Sequence, residues 1–302
     1  MGALAAAVSR GRTSTTALGV VLVAGAAAAW STAGYFSQLI PVAVFTMVVW
    51  RNVFGGTFMT AVVVAVNRRR TLAGFAALGR VGWGAAVING VSMICYLGAL
   101  RHTSVANVAV IYATAPFVAA AIAWLAFRDP ASRRTLAAAG VALVGVAITV
   151  GGTSGTRGLT GDALAFCMTI GLATFTVILR HHRGASMLPA AAASGWIGAL
   201  LALPFATGLD VGAHNLRNLA LFGVVSFGLG LVLYTLGARY LHPARAALIS
   251  ALDTPLAPIW VWIAFDQVPA VTTVVGGVIV LGAVVHNILG EREPAPEPAP
   301  AA

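Results

Sequence analysis

The residues able to do chemistry are few. Of 302 residues, eight are acidic and eighteen basic. All of the basic ones are arginine, so any ionisable group inside an apolar run is conspicuous. Two meet that description. Asp253 lies midway along the run 244–265. At that depth in a bilayer a charge costs roughly 2.5–3.5 kcal/mol, and a carboxyl shielded from water favours its neutral form. On a helix its face is shared by Ala246, Ser250, Ala257 and Trp260. That face either lines a solute path, with Asp253 as a proton-carrying group, or buries a neutral acid against a helix carbonyl. Arg51 follows Ala43 by eight residues, about 12 Å at 1.5 Å per residue. Its stem can snorkel toward the surface. Otherwise its guanidinium is available to a carboxylate or phosphate of a ligand, or to Asp253.

A second group is polar and aromatic. Asn89, Met93 and Tyr96 share a helix face, and Trp30 and Tyr35 close the first apolar run. Together they suit a pocket for an organic solute; singly, each suits helix packing or an interfacial aromatic anchor. Enzyme chemistry finds no support. There is no His-Glu-x-x-His helix, and His181-His182 sits in a loop flanked by arginines. The stretch Gly151–Gly158 lacks the Lys and Ser/Thr pair of a phosphate loop, and no Gly-x-Ser-x-Gly elbow occurs. We therefore expect no catalytic residue, metal ligand set, cofactor or nucleotide-binding domain. Cys95 and Cys167 each lie inside an apolar run, which implies no disulfide framework.

These residues are carried by an all-α membrane chain. Hydrophobic residues make up 59% and charged residues 9%, against about 25% charged in a soluble domain; mean hydropathy is +0.92. So little polar surface cannot cover a soluble fold. The net charge of +10 would suggest nucleic acid in a soluble protein. Here the arginines sit between apolar runs, where they set membrane orientation instead. Ten runs reach the roughly 20 residues needed to cross a bilayer: 17–36, 43–66, 82–100, 105–127, 135–151, 160–179, 189–209, 219–238, 244–265 and 270–289. Fourteen of the eighteen arginines fall near span ends on the side of the N-terminus. Three (Arg101, Arg157 and Arg217) fall on the other side, and Arg51 lies within a span. That bias expects both termini in the cytoplasm. Arg10 and Arg12 before an apolar run ending in Ser31-Thr32-Ala33 resemble a signal peptide, but the run has a counterpart later in the chain and is expected to be retained. Residues 1–16 then form a cytoplasmic segment, and 290–302, alternating Pro, Ala and Glu, a disordered tail.

The chain repeats itself. A shift of 139 residues lays Gly84 on Gly223, Gly98 on Gly237, Pro116 on Pro255 and Pro130 on Pro269. Leu97-Gly98-Ala99 falls on Leu236-Gly237-Ala238, and Gly19 pairs with Gly161 at the slightly longer offset of 142. The halves are 17–151 and 160–289. Five spans in each is an odd number, so the second copy enters the membrane inverted, a build that places a substrate site between the halves of secondary transporters. The same shift moves the Asp253 face onto Asn107, Ile111 and Thr114, which adds Asn107 and Thr114 to the expected site. Gly223, Gly230 and Gly237 make a smooth seam for close helix packing. Pro116, Pro255 and Pro258 free helix carbonyls at potential hinges.

The stretch Tyr96–Pro116 (YLGALRHTSVANVAVIYATAP) and the octapeptide Asp253–Trp260 (DTPLAPIW) resemble the EamA-type signature of the drug/metabolite transporter superfamily. The resemblance covers both halves and implies a ten-helix, exporter-type fold with both termini inside. Relatives often carry an arginine near position 51, after an outer-loop proline such as Pro41. Two departures stand out. Acids common after spans four and nine are displaced, to Asp129 and Asp266, and Asp253 stands two residues before Pro255 where many relatives have a glutamate directly before it. The expectation is a secondary transporter that exports a small metabolite or amino-acid-like solute across a bacterial inner membrane, by alternating access, with protons and membrane lipid as further partners. The alternative is a passive membrane protein such as a lipid scramblase.

Overall fold

The computed structural model describes residues 2–129, 132–152, 155–182, 187–241 and 243–290. The expected tail beyond 290, together with Pro130 and Arg183, lies outside the described residues, as does the side chain of Arg157. Among the described residues there is no strand, and ten helices are long and apolar enough to cross a membrane. They are α1 (Thr16–Leu39), α2 (Val44–Ala76), α3 (Gly79–His102), α4 (Val105–Phe127), α5 (Arg133–Gly151), α6 (Gly158–His181), α7 (Met187–Phe205), α8 (Gly212–Tyr240), α9 (Arg245–Phe265) and α10 (Val271–Leu289). Helices are forced here because lipid offers no partner to a backbone amide or carbonyl. Their outward faces are correspondingly apolar: Leu125, Ile263 and Val271 are each more than 70% exposed.

The packing follows the repeat. α3 lies along α6, and its counterpart α8 lies along α1. α2 pairs with α7, and α5 with α10. Exchanging the halves exchanges each of these pairs with another or with itself, as two copies related by a pseudo-two-fold axis require. The glycine seam of α8 makes this possible. A Cβ on Gly223 would stand 2.4 Å from the carbonyl oxygen of Arg51 on α2, and one on Gly237 would stand 2.8 Å from Leu22 and Val23 on α1.

Both equivalent helices α4 and α9 are broken. α4 is Val105–Tyr112, a turn at 113–114, then Ala115–Phe127. In α9 the first segment is Pro243–Ser250, followed by a turn at 251–252 and then Asp253–Phe265. Each break directly precedes the proline pair Pro116 and Pro255, whose rings cannot donate to the helix ladder. Each second segment ends in a left-handed residue, Arg128 (φ 54) and Asp266 (φ 52). A further irregularity lies in α8, which is wound as a π-helix over Phe222–Leu229; such widened turns cluster at functional sites.

The symmetry fails around the two broken helices. The first segment of α4 packs on the second segment of α9, in the half of the bundle nearer the arginine-poor face. The reciprocal pair, the first segment of α9 and the second of α4, has no comparable packing among the described residues. α4 and α9 are therefore clasped toward one face and parted toward the other.

Candidate functional site

Between the halves lies a cavity of 470 Å³. Its walls come from α1 (Trp30, Ser31), α2 (Arg51), α3 (Asn89, Met93, Tyr96), α4 (Tyr112), α6 (Phe175, Thr176), α7 (Met187), α8 (Ser226, Phe227, Tyr234) and α9 (Ser250, Asp253, Thr254). Met187 is the first residue of α7, so the cavity reaches toward the arginine-rich end of the bundle, where α4 and α9 are parted.

Arg51 does not snorkel. It is 2% exposed, because Phe222 and Phe227 of the π-helical stretch close over it, with their ring centroids 4.8 and 5.4 Å from its guanidinium carbon. Its Nη1 donates to Asn52 Oδ1 at 3.3 Å and lies 3.9 Å from Met93 Sδ, while Nε is buried with no hydrogen-bond partner. All of these contacts are to neutral groups. Two aromatic faces supply some cation–π attraction, but a buried guanidinium without an anion remains costly. Beside it, Asn89 donates to Ser194 Oγ at 2.9 Å and keeps its own carbonyl oxygen buried and unpartnered.

Asp253 opens the second segment of α9, where the free amides of a helix N-terminus favour a carboxylate. Its Oδ1 accepts from Thr254 Oγ1 at 3.2 Å, and it is half-buried on the cavity wall. Ser250, one turn earlier, donates to the Ala247 carbonyl at 3.0 Å.

Of the residues singled out in the sequence, Trp30, Arg51, Asn89, Met93, Tyr96, Ser250 and Asp253 are gathered on this one cavity. Tyr35, Asn107 and Thr114 are not. Tyr35 lies beyond it, against the rings of Phe36 and Phe265. Thr114 is buried in the turn of α4, where its hydroxyl donates to the Ile111 carbonyl at 2.6 Å. Asn107 belongs to a second cavity, of 450 Å³, at the arginine-poor ends of α3, α4 and α10. The shift of 139 residues therefore relates the turns of α4 and α9 without giving them the same surroundings: Asp253 borders the cavity and Thr114 is buried. Trp260, on the Asp253 face by periodicity, points to α1 and donates to Ser31 Oγ at 2.8 Å.

Sequence reasoning missed Tyr112, Tyr234 and Ser226 on the central cavity. It also missed Asp162, a second carboxyl buried within a span. Asp162 Oδ1 accepts from Thr103 Oγ1 at 2.7 Å and from Asn107 Nδ2 at 3.4 Å. Its position inside the run 160–179 was signal enough, by the same reasoning that picked out Asp253.

The EamA-like transporter family profile matches this chain twice, over residues 17–151 and 159–289. No curated protein matches the chain. A solved structure described only as "Crystal structure of protein" superposes with a TM-score of 0.61. It is 15% identical and covers 94% of this chain and 100% of its own, a likeness that shows the fold alone. With both halves matched and ten apolar helices built around a central cavity, this multi-pass membrane protein belongs to the EamA-like transporter family.

Proposed function

We propose that the protein is a secondary transporter that exports a small metabolite or amino-acid-like solute across a cell membrane by alternating access. The observation that carries this reading is the central cavity, lined by both the buried cation of Arg51 and the carboxyl of Asp253. Its volume falls within the roughly 300–1,000 Å³ of small-molecule sites. Among the described residues Arg51 has no anionic contact, and a carboxylate on the solute would supply one. The ring faces of Trp30, Tyr96, Tyr112 and Tyr234 offer apolar area to the rest of such a solute. Alternating access is favoured by the one-sided packing of α4 on α9, since clasping the other pair of α4 and α9 segments would close the opposite end.

Counterflow in proteoliposomes tests the reading. Vesicles preloaded with a responsive amino acid or small organic acid should take up the labelled compound saturably, and empty vesicles should not. Movement of dye-labelled lipid without saturable solute exchange would replace this reading with a passive scramblase. We further propose that the arginine-rich face is cytoplasmic, as the distribution of arginines favours. On a background lacking Cys95 and Cys167, Arg217→Cys should react with an impermeant maleimide in intact cells, and Arg69→Cys only after lysis. The opposite pattern would invert the orientation.

A further inference from the structure

The second cavity has no place in the site described so far. Its polar lining includes His102, Thr103, Asn107, Gln267 and Thr273. All of these lie at the arginine-poor ends of their helices, and the cavity is distinctly more polar than the central one. One residue lines both cavities: Val105, the first residue of α4. It is 3% exposed and seats on Gly34 of α1, where a Cβ would come within 2.5 Å of Val105 Cγ1. The septum between the cavities is thus one side chain thick.

The residues around Val105 are tied across the two halves of the bundle. Thr103, just before α4, donates to Asp162 Oδ1 on α6 at 2.7 Å. Asn107, one turn into α4, reaches the same oxygen at 3.4 Å. Its own Oδ1 accepts from Thr273 Oγ1 on α10 at 2.7 Å. α6 and α10 belong to the second half, α4 to the first. The network therefore holds the start of α4 against the other half at the level of Val105, on the side where the first segment of α4 is clasped to the second segment of α9. Water entering from the arginine-poor side could hydrate every one of these groups, so the network can open without leaving a polar group stranded.

We propose that the two cavities are consecutive stations on one solute path, with the polar cavity as its vestibule at the arginine-poor face. Val105 is the gate between them, and the Thr103–Asp162–Asn107–Thr273 network is the latch that keeps it shut. The proposal rests on reading the protein as a transporter.

Thiol accessibility tests it without needing to know the solute. On a background lacking Cys95 and Cys167, Ser104→Cys reports the vestibule and Ser250→Cys the central cavity. A small membrane-impermeant methanethiosulfonate is applied to sealed vesicles of either orientation. From the arginine-poor side Ser104→Cys should react fast and Ser250→Cys slowly; from the arginine-rich side Ser250→Cys should react fast. Adding Asp162→Asn, which weakens the shared acceptor of the latch, should speed labelling of Ser250→Cys from the arginine-poor side about tenfold, the scale of one hydrogen bond lost from a closed state. Val105→Ala, which thins the septum and leaves the latch intact, should act in the same direction and carries the test if Asp162→Asn does not reach the membrane. A variant that reaches the membrane and labels at the parental rate overturns the proposal, as does a Ser104→Cys that stays unreactive from the arginine-poor side. Solute counterflow in the same vesicles keeps the two ideas apart. Flux with insensitive labelling removes the gate and keeps the transporter; gated labelling without flux for any solute does the reverse.

Discussion

Asp253→Asn is expected to abolish accumulation of solute against a gradient while exchange between preloaded vesicles continues. The substitution keeps the shape of the side chain and can still accept from Thr254 Oγ1, which lies 3.2 Å from Asp253 Oδ1. What it removes is the ability to ionise. Asp253 begins the segment Asp253–Phe265 immediately after the break in α9, so a shift at that hinge changes its exposure to water. A carboxyl moved between wet and closed surroundings exchanges its proton with the medium. Coupling follows if the loaded and unloaded carriers differ in which form they favour. Uphill transport should then lose its dependence on the proton gradient, and the residual exchange should lose its dependence on pH. Asp253→Glu, which keeps an ionisable group one methylene farther out, should restore part of the accumulation. Uphill transport by Asp253→Asn with the parental pH profile would reduce Asp253 to a buried helix residue and end the coupling idea.

Arg51→Gln is expected to weaken the apparent affinity for an anionic solute by about 10- to 100-fold, the value of a charge-assisted hydrogen bond of roughly 1.5–3 kcal/mol. Thermal stability in detergent should not fall. The two expectations pull apart because of how Arg51 is held. Its guanidinium is buried against two aromatic rings, touches only neutral groups and leaves Nε without a hydrogen-bond partner. Such a charge contributes little to folding until an anion arrives, and replacing it with a neutral group relieves desolvation. A structural arginine behaves in the opposite way: its loss lowers stability and leaves affinity alone. Arg51→Lys should recover only part of the binding, since an ammonium cannot present the planar fork that pairs with a carboxylate. Counterflow at graded solute concentrations, alongside a thermal melt of each purified variant, separates these outcomes.

The sequence by itself determined the membrane class, the ten spans, the duplication and the family. Each of these depends on length, composition or a fixed offset, and lipid leaves the backbone no alternative to helices. It also singled out Arg51 and Asp253, because a charge within an apolar run is conspicuous wherever the run packs. The neighbours of those charges were decided only by the tertiary structure. In a soluble helix the apolar stripe marks the buried side, but these helices are apolar all round, so periodicity shows which residues share a face and not what that face meets. Asn107 and Thr114, placed on one face by spacing, both lie off the central cavity, Asn107 on the second cavity and Thr114 buried at the break of α4, and Tyr112 and Tyr234 take places on the central one that their spacing did not suggest. The repeat offset misleads for a related reason. It equates Thr114 with Asp253 as positions in the chain and takes no account of how each copy packs. Equivalent residues in the two copies then sit in different surroundings, one buried and one on a cavity wall, because α4 and α9 pack on each other toward one end of the bundle and not toward the other.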